Sequence, residues 1–124
     1  MLQDIDHIQI AMPAGEEAKA RAFYAGLLGL QEIEKPEGLR ARGGCWFQVG
    51  ALQLHLGVEA DFRPAKKAHP AFRVGDFELL QEKLIRHGFT ITPDNMLKDI
   101  ERVYTHDPFG NRLEFIKEPS KGVL

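Results

Sequence analysis

The chain has little cysteine and no long apolar run, and each shortage excludes a class of protein. Cys45 is the single cysteine in 124 residues, which excludes an intrachain disulfide, a CxxC redox motif and a cysteine metal cluster. No apolar stretch approaches the ~20 residues that a membrane span requires. The opening MLQDIDHIQI carries two aspartates and no basic cluster, which is not typical of a signal peptide. We therefore expect a cytoplasmic protein with no membrane partner.

The sequence also lacks a dominant charge. Its formal net charge is −2, from 16 Lys and Arg against 18 Asp and Glu, with both signs mixed along the chain. Proteins that bind nucleic acid usually carry a cluster of basic residues, so we expect no nucleic-acid partner here. The hydrophobic fraction of 44% is ordinary for a globular protein, and the length is enough for one domain with its own core.

The order of strand and helix patterns repeats in the two halves of the chain. Alternating hydrophobicity predicts strands at 5–11, 32–34, 39–42, 45–49 and 52–58, with a helix over 16–29. After a polar linker at 59–68, strands are predicted at 69–74, 89–92, 101–106 and 112–116, with a helix from Asp76 to Gly88. We therefore predict an α+β fold of two βαβββ modules, at about 4–58 and 69–117 of a single domain over 1–124.

Histidines and a carboxylate occupy corresponding positions of the two predicted modules. His7 and His69 open them, 62 residues apart, and His55 and Glu114 lie in the closing strands, 59 apart. Strand alternation places them opposite the apolar faces. Imidazole and carboxylate are ligands for borderline divalent metals, and such a set leaves positions open for substrate. Each residue alone is also compatible with an ordinary hydrogen-bonded or solvated strand position, but their joint placement favours a pocket.

Four stretches carry a resemblance to a known family: DHIQIAM at 6–12, FYAGLLGL at 23–30, HPAFRV at 69–74 and DPFGNRLEFI at 107–116. Together they resemble the vicinal oxygen chelate superfamily, which includes glyoxalase I, fosfomycin-resistance thiol transferases, extradiol dioxygenases and bleomycin-resistance proteins. The resemblance implies that paired βαβββ modules form a half-open mixed β-barrel with helices outside. It also implies one divalent metal ion per site, with Zn, Ni, Mn and Fe as the candidates.

The resemblance also implies the residues of the site. Its metal ligands fall on His7, His69 and Glu114. A fourth position stays open: the LQL pattern favours Gln53, the internal repeat favours His55, and both are equally compatible with lining the pocket. From the strand faces we predict His55 and Tyr104 as catalytic residues and Gln9, Gln53 and Arg102 as substrate contacts. Tyr104 either polarises a substrate oxygen or packs at the rim with its hydroxyl in water.

The resemblance implies a metal-dependent enzyme of glyoxalase-like type. It would be a lyase or isomerase acting on a small substrate that chelates the metal through adjacent oxygens. The alternatives are a ring-cleaving dioxygenase or thiol transferase of the same superfamily, or a metal-free drug- or metabolite-binding protein. The stretch at 94–101 lacks the serine-rich loop of the thiol transferases. A homodimer is expected, in which His7 of one subunit completes a site with His69 and Glu114 of the other.

Two further expectations concern the segment at 45–49. Trp46 and Phe47 are predicted to fill the core rather than to wall the pocket. Cys45 is predicted to be an inert buried thiol, because no basic partner lies near it in the sequence.

Overall fold

The computed structural model describes residues 1–119, which form two modules of the same β-α-β-β-β order. The first contains β1 (His7–Met12), α1 (Glu17–Arg21, continued by a π-helical stretch, Ala22–Leu27), β2 (Gln31–Ile33), β3 (Cys45–Val49) and β4 (Leu52–Val58). The second contains β5 (Ala71–Val74), α2 (Phe77–Arg86), β6 (Thr92–Pro93), β7 (Arg102–His106) and β8 (Arg112–Lys117). The predicted α+β fold of two modules is confirmed.

Each module contributes one four-stranded mixed sheet. The strand orders are β1-β4-β3-β2 and β5-β8-β7-β6, so corresponding strands occupy corresponding places. The pairs β1–β4 and β5–β8 are parallel, and the other pairs are antiparallel. Gln9 lies opposite His55 in the first sheet, and Ala71 lies opposite Glu114 in the second. Within the described chain the two sheets do not close into a barrel, which leaves β1 and β5 as edge strands.

Apolar side chains on one face of each sheet form a core shared with the helices. Ile10, Leu54 and Leu113 are buried there, as the alternation of the strands predicts. Phe23 of the π-helical stretch meets Phe89 of the second module edge to face, with ring centroids 4.9 Å apart. The core therefore joins the two modules. No helix in residues 1–119 has the length and apolar character to cross a bilayer.

A buried hydrogen-bond network around the β7–β8 turn ties the modules together. The Tyr24 hydroxyl donates to Asp107 Oδ2 at 2.7 Å, and burial, followed by the charge of Asp107, raises the Tyr24 pKa well above its usual value. Asn111 Nδ2 donates to the Ala11 carbonyl at 2.8 Å, and Asn111 Oδ1 accepts from the Ala65 N–H at 3.0 Å. The turn thus anchors the first module and the linker to the second module, besides reversing the chain.

The helix α2 begins and ends where the sequence predicts. Asp76 caps it by accepting a hydrogen bond from the Leu79 N–H at 3.1 Å. The chain leaves the helix at Gly88, which has φ +86°, a conformation that glycine adopts without steric cost. The first helix begins one residue later than predicted and ends at Leu27.

Two predicted strands differ most from the structure. The segment 39–42 belongs to a 3-10 helix, Glu37–Arg42, rather than to a strand. Pro36 precedes it with a fixed φ of −54°, a start that suits a helical turn, and the glycine at position 43 ends it. The strand predicted at 89–92 is reduced to the pair Thr92–Pro93, and before that pair the Thr90 carbonyl accepts from the Thr105 hydroxyl at 2.6 Å.

Candidate metal and substrate site

A histidine and a carboxylate meet at the start of the second sheet. Glu114 lies in the middle of β8 with its side chain 6% exposed, and His69 precedes β5, the strand that pairs with β8. His69 Nε2 is 2.8 Å from Glu114 Oε1, and His69 Nδ1 is 2.9 Å from the Lys67 carbonyl oxygen. Because that carbonyl can only accept, Nδ1 carries a proton. Nε2 donates to the carboxylate if it also carries a proton, and otherwise it has a lone pair available to a metal.

This contact fits a divalent cation. These two atoms, 2.8 Å apart, are joined either by a proton on Nε2 or by a cation that both atoms bind. An imidazole whose other nitrogen donates to a backbone carbonyl is the usual arrangement for a metal ligand, since that bond fixes the tautomer and the ring. His69 and Glu114 therefore provide a nitrogen and an oxygen donor suited to a borderline metal.

Arg102 holds the second oxygen of the same carboxylate. Its Nη1 lies 3.4 Å from Glu114 Oε2, and its Nη2 donates to Asp94 Oδ2 at 2.9 Å. The pKa of Asp94 is lowered, first by the backbone N–H of Met96 and then by Arg102 and the Tyr104 hydroxyl. The buried Nε of Arg102 has no hydrogen-bond partner among residues 1–119. Arg102 is thus a cation fixed between two carboxylates, next to the candidate metal pair.

Tyr104 on β7 lies opposite Glu114 on β8, and three side chains pack around its ring. The His69 ring meets it edge to face with centroids 5.4 Å apart. The Arg112 guanidinium lies over the ring, 4.0 Å from its centroid, and Arg102 lies 5.8 Å from that centroid. Tyr104 therefore connects two arginines with the His69–Glu114 pair.

The corresponding place in the first module contains a stack of three rings. His55 is 4% exposed, and its ring lies between the rings of Trp46 and His7. The centroid of the His55 ring is 3.7 Å from that of Trp46, with the two planes parallel, and 4.2 Å from that of His7, with the planes 16° apart. His55 Nε2 is 2.9 Å from Gln53 Oε1. Burial, and then the nearby His7, lowers the pKa of His55, so that the ring is neutral at pH 7. With Nε2 donating to the amide oxygen, Nδ1 of His55 keeps its lone pair.

One ring nitrogen of His7 contacts a carboxylate, as is common for a metal-ligating histidine, but His7 is not grouped with His69 and Glu114. Its Nδ1 is 3.0 Å from Asp6 Oδ2, and its side chain is 43% exposed. Across residues 1–119, no group of three or more His, Cys, Asp or Glu is placed to hold a metal. One chain therefore brings His69 and Glu114 together, and places the third predicted ligand beside His55 instead.

The other predicted site residues divide between the two groups. Arg102 and Tyr104 lie with the His69–Glu114 pair, and Gln53 lies with His55. Gln9 and His69 line a cavity of about 310 Å³ between β1, the linker and the start of β8. The site residues thus form one group in each module, and the cavity that Gln9 and His69 line lies between the modules.

The expectations for the segment at 45–49 are met at two of its three positions. Phe47 is fully buried in the core, as predicted. Cys45 is buried too, and burial raises its pKa to about 11, so that the thiol stays protonated. The prediction that Trp46 fills the core is wrong, because its ring is half-buried and stacks on His55.

The sequence predictions give Arg112 no role and favour the core over the pocket wall for Trp46. The signal for both lies in the strands: Trp46 lies opposite His55, and Arg112 lies two residues before Glu114 on β8, so these side chains share the polar faces.

The chain is similar to known proteins in sequence and in fold. Residues 4–115 match the profile of the Glyoxalase/Bleomycin resistance protein/Dioxygenase superfamily. A glyoxalase family protein from Bacillus anthracis is 48% identical, with 96% of this chain and 98% of that chain covered and a TM-score of 0.91. A comparison with curated proteins gives no match.

Two more distant solved structures share the fold. Lactoylglutathione lyase from Agrobacterium tumefaciens is 19% identical, with 94% of each chain covered and a TM-score of 0.71. The fosfomycin resistance protein FosX from Listeria monocytogenes is 16% identical, with 100% of each chain covered and a TM-score of 0.76. At these identities the likeness concerns the fold alone.

Proposed function

The chain belongs to the Glyoxalase/Bleomycin resistance protein/Dioxygenase superfamily, and on that premise we propose that it is a divalent-metal-dependent enzyme of glyoxalase-like type. It acts as a lyase or isomerase on a small substrate that binds the metal through adjacent oxygens. The metal ligands are His7, His69 and Glu114. The observation that carries the proposal is the 2.8 Å contact between His69 Nε2 and Glu114 Oε1, which brings an imidazole nitrogen and a carboxylate oxygen together.

A second copy of the chain supplies His7. In one chain His7 lies with the first module, whereas His69 and Glu114 lie with the second. β1 and β5 are edge strands in the described chain, so each can pair with a strand of another molecule. A two-fold homodimer would bring the first module of one subunit over the second module of the other, twice. The subunit that supplies His7 also supplies His55, which is either a fourth ligand or an acid–base group beside the metal.

Residues of this chain provide the remaining chemistry. When bound, the metal supplies a Lewis acid that stabilises negative charge on the substrate oxygens. His55 is neutral because burial lowers its pKa, so its free Nδ1 can accept a proton near pH 7. The hydroxyl of Tyr104 can donate to a substrate oxygen. Arg102 orients Glu114 through its Oε2 contact.

Metal analysis of untagged protein purified without chelators tests the proposal. We expect about one divalent ion per chain in the wild type and almost none in Glu114→Gln, which keeps the size of the side chain but loses its charge. Glu82→Gln on the exposed face of α2 is the matched control and should keep the metal. Wild-type protein that takes up no Zn, Ni, Mn or Fe when each is added back would refute the proposal and favour a metal-free binding function.

A further inference from the structure

We propose that Arg112 binds an anionic group of the substrate, and that the substrate is therefore a small oxyacid. Its carboxylate, phosphonate or phosphate group is separate from the oxygens that face His69 and Glu114. This inference rests on the proposed function for the position of the reacting end of the substrate, but the anion site itself is a property of Arg112 and the cavity beside it.

The backbone and a ring hold Arg112 close to the metal pair. It lies two residues before Glu114 on β8, so alternation places both side chains on the same face. Its N–H donates to the Ala65 carbonyl at 2.9 Å, which ties the start of β8 to the linker. Its guanidinium lies 4.0 Å from the centroid of the Tyr104 ring, which also meets the His69 ring edge to face. The positive charge is thereby fixed beside His69.

Arg112 differs from its neighbour Arg102 in having no carboxylate partner. Within residues 1–119, Arg112 forms no ion pair with an Asp or Glu. Arg102 is engaged by Asp94 at 2.9 Å and by Glu114 at 3.4 Å. A half-buried guanidinium without a counter-ion keeps its fork of N–H donors available, and that fork matches the geometry of a carboxylate or phosphate. Arg112, rather than Arg102, is therefore available to bind the anion.

The adjoining cavity has the lining that a small anion requires. Its volume is about 310 Å³, and among the described residues that line it Arg112 is the only one with a permanent charge, and none is a carboxylate. Ala65, Ala68 and Pro70 contribute apolar lining, and Gln9 is a polar residue of the lining. The Asn111 amide is already engaged with backbone groups of β1 and the linker. The cavity thus combines one cation with a small apolar wall, which selects a compact oxyacid over a neutral or cationic ligand.

Titration with simple probes tests the proposal. Methylphosphonate, acetate and neutral acetamide are titrated into wild type, Arg112→Met, Arg112→Lys and the control Arg42→Met, whose arginine is exposed on the 3-10 helix. Binding is followed by ligand-observed NMR, with chelated and metal-loaded protein measured separately. We expect wild type and Arg42→Met to bind one of the two anions, with affinity reduced about tenfold in Arg112→Met and less in Arg112→Lys. The preferred anion identifies the substrate class as carboxylate or phosphonate, and acetamide should not bind.

The outcomes separate this inference from the proposed function. Loss of anion binding in Arg112→Met with the metal content unchanged supports the anion site. Unchanged affinity in both Arg112 variants, or wild type that binds neither anion, overturns it. If wild type takes up no metal but the chelated protein still loses anion binding in Arg112→Met, then the metal proposal fails and the anion site stands. Arg112→Lys, which keeps a positive charge on a long side chain, decides the question if Arg112→Met does not fold.

Discussion

His69 Nε2 and Glu114 Oε1 lie 2.8 Å apart although 45 residues separate them in the sequence. The parallel pairing of β5 with β8 produces this contact. In the first module the equivalent pairing of β1 with β4 brings His7 against His55, with ring centroids 4.2 Å apart. Two equivalent half-sites result, one with a carboxylate and one with imidazoles only. Neither half-site alone has three metal-ligating groups, so the proposed centre requires both.

Replacing Asn111 with alanine should destabilise the fold strongly. Truncation removes the acceptor for the Ala65 N–H and the donor to the Ala11 carbonyl, at 3.0 and 2.8 Å. Asn111 is 1% exposed, so water cannot readily replace these hydrogen bonds. We expect the free energy of unfolding to fall by about 3 kcal/mol, measured by urea denaturation. Asn95→Ala in the exposed loop before β7 is the control, and a loss below about 1 kcal/mol in Asn111→Ala would contradict the interpretation.

Glu17 should make stability depend on pH in the acid range. Its Oε2 accepts from the Gly44 N–H at 2.8 Å, and this bond is the main reason that its pKa lies below the unfolded value of 4.5. Between the folded pKa and 4.5 the unfolded chain binds more protons, so the free energy of unfolding rises with pH there. The contribution is complete above 4.5 and disappears as the pH falls through the folded pKa.

Thermal unfolding of wild type and Glu17→Gln across the acid range tests this prediction. The two proteins should differ most at neutral pH, and the difference should shrink as the pH falls below 4.5. The backbone at Gly44 is closely packed against β4, since a Cβ at Gly44 would lie 2.1 Å from the Leu56 carbonyl oxygen. A difference that is independent of pH would assign the role of Glu17 to packing instead of charge.

Much of the fold follows from patterns with a single physical meaning. Strict alternation identifies β4 and β8, because only one register buries residues such as Leu54 and Leu113. The segment 39–42 also alternates, but over four residues a short helical turn gives a similar pattern. Its strand prediction therefore had no support beyond local composition.

The site is less accessible to sequence reasoning than the fold. The residue types at His69 and Glu114 indicate metal chemistry, and the repeat places them at points equivalent to His7 and His55 of the first module. The stacking of Trp46 on His55 and the position of Arg112 over Tyr104 depend on cross-strand register, which the sequence specifies only through the whole sheet. Which chain supplies His7 depends on how two molecules meet, and no pattern within one chain encodes that directly.

A heterodimer of two defective chains tests the two-chain metal centre most directly. His7→Ala and Glu114→Gln subunits carrying different tags are co-expressed, the heterodimer is purified through both tags, and its metal content is measured. One of its two sites then contains both lesions and the other contains neither. We expect each variant alone to hold almost no metal and the heterodimer to hold about one ion per dimer. A heterodimer without metal would contradict a site shared between chains, and either homodimer with full metal would contradict the ligand assignment.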